Sequence, residues 1–198
     1  GGLAGGELLY LGGWTSVGKS AFALELARHI TSHGRGVLIV SREMSRRLLA
    51  QRLLAQAAEI DALSLRSGRL GAGEAVLLRA ALPAVRGLPL WVSDTAAGVE
   101  EIRRLLAEPR RPPIALLVVD YLQLLRAPAG IRERRLQVEA LSQALKAIAV
   151  ERDLPVVCLS SLARAGDDPK RPPVLSDLRE SGELEHDADS VLFLHRPD

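Results

Sequence analysis

Residues 13–20 read GWTSVGKS and match the pattern G-x-x-x-x-G-K-[ST] of a phosphate-binding loop. The octapeptide follows a short apolar run, residues 8–11, and opens a segment, residues 20–32, with apolar side chains at helical spacing. A strand, a glycine-rich loop and a helix in that order are the context in which this pattern binds phosphate. A chance match somewhere in the chain has a probability of roughly 1%, since glycine makes up about 7% of average sequences. The stretch therefore predicts a nucleotide-binding loop between a strand and a helix.

The chemistry of a phosphate group explains the spacing of this loop. Glycines let the backbone turn tightly, so that successive N–H groups point at phosphate oxygens. The helix that follows presents its N-terminal dipole to the same anion. Lys19 is expected to reach the β- and γ-phosphates, and the Ser20 hydroxyl to bind Mg²⁺. The predicted nucleotide contacts of the loop are Gly13, Trp14, Thr15, Ser16, Val17, Gly18, Lys19, Ser20 and Ala21.

The rest of the chain alternates strand-length apolar runs with segments of helical period. Predicted strands are residues 8–11, 37–40, 90–92, 115–120, 156–160 and 190–195. Predicted helices are residues 20–32, 45–58, 73–85, 99–107 and 132–152, and Pro83 is expected to end or kink the third. This alternation is typical of parallel βαβ units with helices on both faces of the sheet. We predict one α/β domain of the P-loop NTPase type over residues 1–198, with a polar, mobile loop at residues 164–173.

Composition excludes several other classes of protein. The net charge is only +2, and aromatic residues make up 3% of the chain, which argues against a row of rings that stack on bases. The apolar runs are much shorter than the about 20 residues of a membrane span, and residues 1–6 do not form a signal peptide. Cys158, the only cysteine, is predicted to be a buried, inert thiol. These features favour a cytoplasmic domain without a membrane partner.

Two carboxylates are candidates for the chemistry around the phosphate. Asp120 ends the apolar run ALLVVD, residues 115–120, at the edge where open α/β sheets bind ligands. There it is predicted to contact the nucleotide and to share Mg²⁺ with Ser20, although an aspartate that caps a following helix is an alternative. Glu43 follows the predicted strand 37–40 by three residues and is a candidate general base for the attacking water. Spacing alone leaves a plain surface glutamate equally open.

The order of short motifs resembles that of DnaB-like replicative helicases. The segments that carry the likeness are GGWTSVGKSAFAL (12–24), SREMS (41–45), VDYLQL (119–124), SDLRESG (176–182) and DAD (187–189). The likeness spans nearly the whole chain. It implies a RecA-like ATPase domain that uses ATP and Mg²⁺, with Lys19 and Glu43 as catalytic residues. The family also has a hexameric ring and, as possible partners, a primase or a helicase loader.

The same resemblance implies residues that contact single-stranded DNA. Two segments resemble channel-facing loops of the family, and their predicted DNA contacts are Arg134, Arg135, Arg179, Glu180 and Gly182. Contacts to phosphates suit a translocase because they are blind to sequence. Without the resemblance, an arginine-rich helix start that pairs with Glu133 and Glu139 in solvent is the favoured interpretation of residues 126–135.

Three departures from the family pattern define the alternatives. Ser161, in SSL (160–162), stands at the position of a glutamine that senses the γ-phosphate, and GWTSV is an unusual loop sequence. We also expect that residues 1–198 do not include the family's final strands or the arginine finger that they carry. A helicase motor in DNA replication is the first hypothesis. A RecA-like ATPase that is DNA-dependent or regulatory and does not unwind DNA is the second, and a binding module without catalysis is the third.

Overall fold

Six parallel strands form one sheet at the centre of the domain. The structure, a computed structural model, describes residues 2–162, 171–178, 184 and 186–196. The strands lie side by side in the order β3-β2-β4-β5-β1-β6. Their bounds are β1 Leu8–Gly13, β2 Gly36–Ser41, β3 Leu90–Ser93, β4 Ile114–Asp120, β5 Val156–Ser161 and β6 Ser190–Leu194. All six predicted strands are present, and every pairing between them is parallel.

Six α-helices whose bounds lie within the described residues accompany this sheet. They are α1 Lys19–Ser32, α2 Arg46–Ala58, α3 Ala62–Ser67, α4 Ala72–Arg86, α5 Val99–Ala107 and α6 Arg134–Arg152. The sequence did not predict α3, which is one short segment between the Asp61 N-cap and Gly68. Of the two outcomes expected at Pro83, an end or a kink, the helix does not end there, because α4 runs on to Arg86. Proline removes the N–H that would pair with the carbonyl of Arg79, an exposed residue, so water can take that role.

Each buried strand packs side chains on both faces of the sheet. Leu38 and Val40 of β2 belong to one core cluster, whereas Val37 and Ile39 belong to the other. This is the alternation that a strand with two covered faces requires. The first cluster includes side chains of α5 and α6, and the second includes side chains of α1 and α2. The prediction of helices on both faces is confirmed.

The longest helix buries the stripe that its sequence indicates. Val138, Leu141, Leu145 and Ile148 have no exposed surface, and they lie on one side of α6. Cys158 is also fully buried, and burial raises the pKa of its thiol above the ordinary range, so the thiolate is disfavoured. No helix in the described part of the chain has the length and hydropathy that a membrane crossing needs.

Candidate nucleotide site

The phosphate-binding loop joins β1 to α1 at the carboxyl edge of the sheet. Gly18, the residue before α1, has φ = 109°, a conformation that favours glycine. Gly13 ends β1, and an added Cβ there would lie 2.7 Å from Cγ1 of Val17 and 3.1 Å from the Leu194 carbonyl oxygen. Both glycines of the pattern are therefore required by the backbone, one by its torsion angle and the other by its close neighbours.

Lys19 folds back over the loop. Its Nζ donates to the carbonyl oxygens of Gly13, at 2.6 Å, and Trp14, at 3.0 Å. Burial lowers the pKa of this amine, and the negative charges of Glu43 and Asp120 oppose that shift. The ammonium group is thus held beside the first α1 turn, whose free N–H groups attract an anion.

Ser20 and Asp120 meet below the loop, as a shared Mg²⁺ site requires. The Ser20 hydroxyl donates to Oδ2 of Asp120 at 2.8 Å, although the two residues are 100 positions apart in sequence. Asp120 is only 3% exposed. Burial raises the pKa of its carboxyl from 3.8 to about 6, more than the hydrogen bond from Ser20 lowers it. The Glu43 carboxylate adds to the increase, whereas the charges of Lys19 and Arg52 lower the pKa.

The pairing of β2 with β4 brings the second carboxylate to the same edge. Ser41, the last residue of β2, is in register with Asp120, and the backbone N–H of Arg42 donates to the Asp120 carbonyl oxygen at 2.7 Å. The hydroxyl of Ser41 accepts from the Met44 N–H at 3.1 Å and fixes the turn that follows. Glu43 lies at this turn and is exposed toward the site.

A cleft of about 440 Å³ contains Lys19, Ser20 and Glu43 in its wall, whereas Asp120 does not line it and is connected to it through the bond from Ser20. Its lining residues are Thr15, Ser16, Gly18, Lys19, Ser20, Ala21, Glu43, Met44, Leu48, Arg52, Tyr121 and Ser161. Six of the nine predicted loop contacts are therefore on the cleft wall, whereas Gly13, Trp14 and Val17 are not. Gly13 and Trp14 act instead through their carbonyl groups on Lys19.

Sequence reasoning missed one charged residue of this cleft. Arg52 lies on α2, and Leu48, one helical turn before it, lines the same wall. A signal was available, because a helix that begins directly after Glu43 and the Ser45 N-cap must start at the nucleotide edge. The positive charge of Arg52 reaches Asp120 strongly enough to lower the pKa of its carboxyl.

The predicted sensor position also lies at the cleft. Ser161 is the last residue of β5 and is in register with Gly13 of β1. Its short side chain lines the cleft wall, where a γ-phosphate would be close.

The predicted DNA contacts divide into two groups. Arg134 and Arg135 are exposed and form the first two positions of α6. Arg179, Glu180 and Gly182 lie outside the described residues, as does most of the predicted mobile loop at residues 164–173.

A second and larger cavity, of about 760 Å³, lies away from this chemistry. It is lined by apolar side chains such as Leu9, Leu26 and Ile30, and by the starts of β4 and β5 near Ile114 and Pro155. This is the amino-terminal edge of the parallel strands, whereas ligands of open α/β sheets bind at the carboxyl ends. The smaller cleft is therefore the candidate nucleotide site.

No protein-only metal cage accompanies the cleft within the described ranges. Among these residues there is no group of three or more His, Cys, Asp or Glu side chains that could hold a metal ion. Mg²⁺ commonly uses one or two protein oxygens, with substrate phosphates and water completing its octahedron. The adjacent oxygens of Ser20 and Asp120 fit that pattern.

Comparison with known proteins identifies a matching family model and several similar proteins. The family model described as "DnaB-like helicase C terminal domain" matches residues 1–198. The replicative DNA helicase DnaB of Rickettsia felis is 40% identical over 206 residues, which cover 96% of this chain and 41% of that protein. The protein of the same name from Geobacillus stearothermophilus is 36% identical over 197 residues, which cover 97% of this chain and 43% of that protein. The chain thus spans about two fifths of the length of these relatives.

Solved structures agree with the sequence matches. A structure described as a DnaB-like replicative helicase and its interactions with primase superposes with a TM-score of 0.93 and 31% identity, over 100% of this chain and 50% of that chain. A second solved structure, described as an ATPase domain, gives a TM-score of 0.89 and 32% identity, over 97% of this chain and 70% of that chain. The predicted RecA-like fold and the family resemblance are both confirmed.

Proposed function

The chain belongs to the family of DnaB-like helicase C-terminal domains, and on that premise we propose that it is the ATPase motor of a replicative DNA helicase. The observation that carries the proposal is that Lys19, Ser20 and Glu43 line one cleft, with Asp120 hydrogen-bonded to Ser20 beside it. Four residues from three separate segments come together there, in the arrangement that phosphoryl transfer needs. In the longer protein, hydrolysis would drive movement along single-stranded DNA.

Binding of the triphosphate begins at the loop. When ATP enters, its phosphate oxygens would replace the carbonyl groups of Gly13 and Trp14 as partners of the Lys19 ammonium. The backbone N–H groups of Lys19 and Ser20 would hold the same oxygens, because the first turn of a helix has no partners of its own for them. The partly buried position of Lys19 strengthens its attraction for the phosphates, since screening by water is weak there.

Ser20 and Asp120 would hold Mg²⁺ between the loop and β4. The ion would neutralise charge that builds up on the phosphates during transfer. Its positive charge would also favour the ionised form of Asp120, whose pKa is about 6 without it. Nucleotide and metal binding would therefore release a fraction of a proton near pH 6.

Glu43 would act on the attacking water. It is exposed at the cleft wall, so a water molecule can lie between its carboxylate and a bound γ-phosphate. The Arg42 N–H bond to the Asp120 carbonyl oxygen fixes the turn that presents Glu43. General-base assistance of this kind typically contributes about 10²- to 10⁴-fold in rate.

Single-stranded DNA would contact two segments of the domain. We propose Arg134 and Arg135 as phosphate contacts, together with Arg179, Glu180 and Gly182 of the family's second DNA segment. A ring of six subunits, contacts with a primase or a helicase loader, and action in the cytoplasm complete the proposal. The solved structure described with primase is the support for a primase partner.

A DNA-dependent or regulatory ATPase without strand separation is the second candidate function. The observation that favours it is Ser161, whose hydroxyl is shorter than the amide of the glutamine that the family places at the cleft. ATP hydrolysis would then be intact, whereas the transmission of the γ-phosphate signal to DNA would be weak.

The test is the ATPase rate of the full-length protein with and without single-stranded DNA. Lys19→Ala and Glu43→Gln are each expected to lower the rate by about 10²-fold or more, because each removes a group that acts on the transferred phosphate. Glu100→Gln is the matched control for Glu43→Gln, since the Glu100 side chain is 82% exposed on α5. DNA stimulation together with unwinding of a forked duplex supports the helicase. Stimulation without unwinding supports the second candidate. An ATPase rate that neither Lys19→Ala nor Glu43→Gln changes refutes the proposed site.

A further inference from the structure

Gln123 connects two strands at the carboxyl edge of the sheet. It lies in a single 3₁₀ turn, Leu122–Leu124, directly after the Asp120 end of β4. Its side-chain Nε2 donates to Oγ of Ser160 at 3.1 Å. Ser160 is fully buried in β5 and directly precedes Ser161, which lines the nucleotide cleft. The amide of Gln123 therefore contacts the strand end on which a γ-phosphate would act.

The backbone of the same residue contacts the first turn of α6. Nη2 of Arg134 donates to the Gln123 carbonyl oxygen at 2.5 Å, and Nη1 donates to Oε1 of Gln137 at 3.2 Å. Gln137 in turn donates to the Ile131 carbonyl oxygen at 2.8 Å. Within the described residues, the Arg134 guanidinium is thus bonded to Gln123 on one side and to its own helix start on the other.

One atom of the Gln123 side chain has unused bonding capacity. Its Oε1 is buried and has no hydrogen-bond partner within the described part of the chain. A buried polar atom without a partner costs about 1–3 kcal/mol. An amide whose only purpose was to fill space would be replaced by an apolar side chain at no such cost. The half-satisfied amide can therefore accept one further hydrogen bond.

We propose that Gln123 is a positioning residue that couples the end of β5 to Arg134, and through it the nucleotide cleft to DNA. This inference rests on the proposed function, since Arg134 is a DNA contact only there. The amide follows movement of Ser160, and the carbonyl group of the same residue transmits it to the guanidinium. The route bypasses the short side chain of Ser161, because it starts from the buried neighbour and not from the cleft wall.

Substitutions test the route in the full-length protein. Gln123→Met keeps the length of the side chain and removes its hydrogen bonds, and Ser160→Ala deletes only the hydroxyl that Gln123 contacts. Gln143→Met is the matched control, because Gln143 is exposed on α6 and, among the described residues, donates only to Glu139, one helical turn away, at 3.3 Å. The first readout is the ATPase rate with and without a single-stranded oligo(dT).

We expect the rate without DNA to stay within about twofold for all three variants, since none of these residues contacts the nucleotide. Stimulation by oligo(dT) should fall about tenfold in Gln123→Met and in Ser160→Ala, within the range typical of coupling between sites. The double variant should be no worse than either single one, because both break the same contact. Full stimulation in Gln123→Met, with the control behaving alike, overturns the inference.

Hydrogen exchange separates this inference from the proposed function. A non-hydrolysable ATP analogue should change the exchange of backbone amides at residues 131–137 in the wild type and in Gln143→Met, but not in Gln123→Met. An equal change in all three proteins overturns the coupling route, whatever DNA does. If wild-type ATPase is indifferent to oligo(dT), the proposed helicase function fails, and the exchange experiment still decides whether Gln123 connects cleft and helix.

Discussion

Replacing Asp120 with asparagine should stabilise the nucleotide-free domain at neutral pH while it abolishes Mg²⁺-dependent hydrolysis. The Asp120 carboxyl is 3% exposed, and burial is the main reason that its pKa rises from 3.8 to about 6. The hydrogen bond from the Ser20 hydroxyl and the charge of Lys19 offset only part of this cost. The amide of asparagine keeps an oxygen for Ser20 and has no charge to bury.

The pH dependence fixes the sign and the size of the effect. A native pKa above the unfolded value means that the folded state binds the proton more tightly. The resulting stability is fully present below about pH 3.8 and is lost as the pH rises through about 6. The interval from 3.8 to about 6 corresponds to about 3 kcal/mol. The free energy of unfolding of Asp120→Asn, minus that of the wild type, should therefore grow by up to about 3 kcal/mol between about pH 4 and about pH 7.5.

Urea denaturation at a series of pH values, without nucleotide, measures this difference. The contributions of the other titrating groups to the pH dependence cancel in this difference, because both proteins contain the same groups. Asp61→Asn is the control of opposite sign: the Ser64 N–H donates to the exposed Asp61 carboxylate at 2.7 Å and lowers its pKa. The stability that this hydrogen bond contributes is lost as the pH falls. The free energy of unfolding of Asp61→Asn, minus that of the wild type, should therefore become more negative as the pH rises. A difference for Asp120→Asn that stays constant across the range would refute the reasoning.

Three further changes probe the core, the bonds between Arg171 and Asp177, and the cleft. Leu141→Ala should lower the free energy of unfolding by about 2–5 kcal/mol in urea, because the side chain is fully buried. Val150→Ala, at a 61% exposed position of the same helix, should stay within about 0.5 kcal/mol. Arg171→Ala should lower the free energy of unfolding by about 1–3 kcal/mol at pH 7, because it removes two hydrogen bonds, of 2.6 and 2.7 Å, to the buried Asp177 carboxylate. This decrease should become smaller in acid, as the Asp177 carboxylate is protonated. Arg52→Gln should raise the KM for ATP about tenfold or more in steady-state kinetics, because it removes a positive charge from the cleft wall.

Local signals predicted the elements because each one is set by a repeating pattern. The stripe on α6 and the buried run of β4 have periods that only one secondary structure satisfies, and both lie as predicted. Pro83 shows the limit of a local rule. Its cost depends on whether the orphaned carbonyl group can reach water, and that depends on how exposed α4 is. Exposure is a property of the packed domain, so the sequence could not give it.

The candidate site likewise contains residues that the sequence predicted and residues that it did not. The loop of residues 13–20 was predicted because a phosphate imposes residue types at fixed spacings, and Asp120 was predicted because it ends a buried parallel strand. Arg52 and Gln123 have no such spacing. Arg52 reaches the cleft from one side of α2, and Gln123 meets Ser160 across 37 positions of sequence. Both contacts depend on strand order, which places β4 beside β5 and the start of α2 beside the nucleotide edge.

The two unusual positions of the site differ in what they demand of the side chain. Trp14 contributes its carbonyl group to Lys19 and is not part of the cleft wall, so its contact with Lys19 is made by the backbone and not by the side chain. Ser161 lies on the wall itself, where a sensor must act through its side chain. A serine at that position extends less far than a glutamine would, and no backbone group makes up the difference. Because Ser160, its neighbour, is already bonded to Gln123, our proposed route to α6 starts from Ser160. The short side chain at position 161 is thus a reason to look for coupling in the strand end as a whole and not in one glutamine.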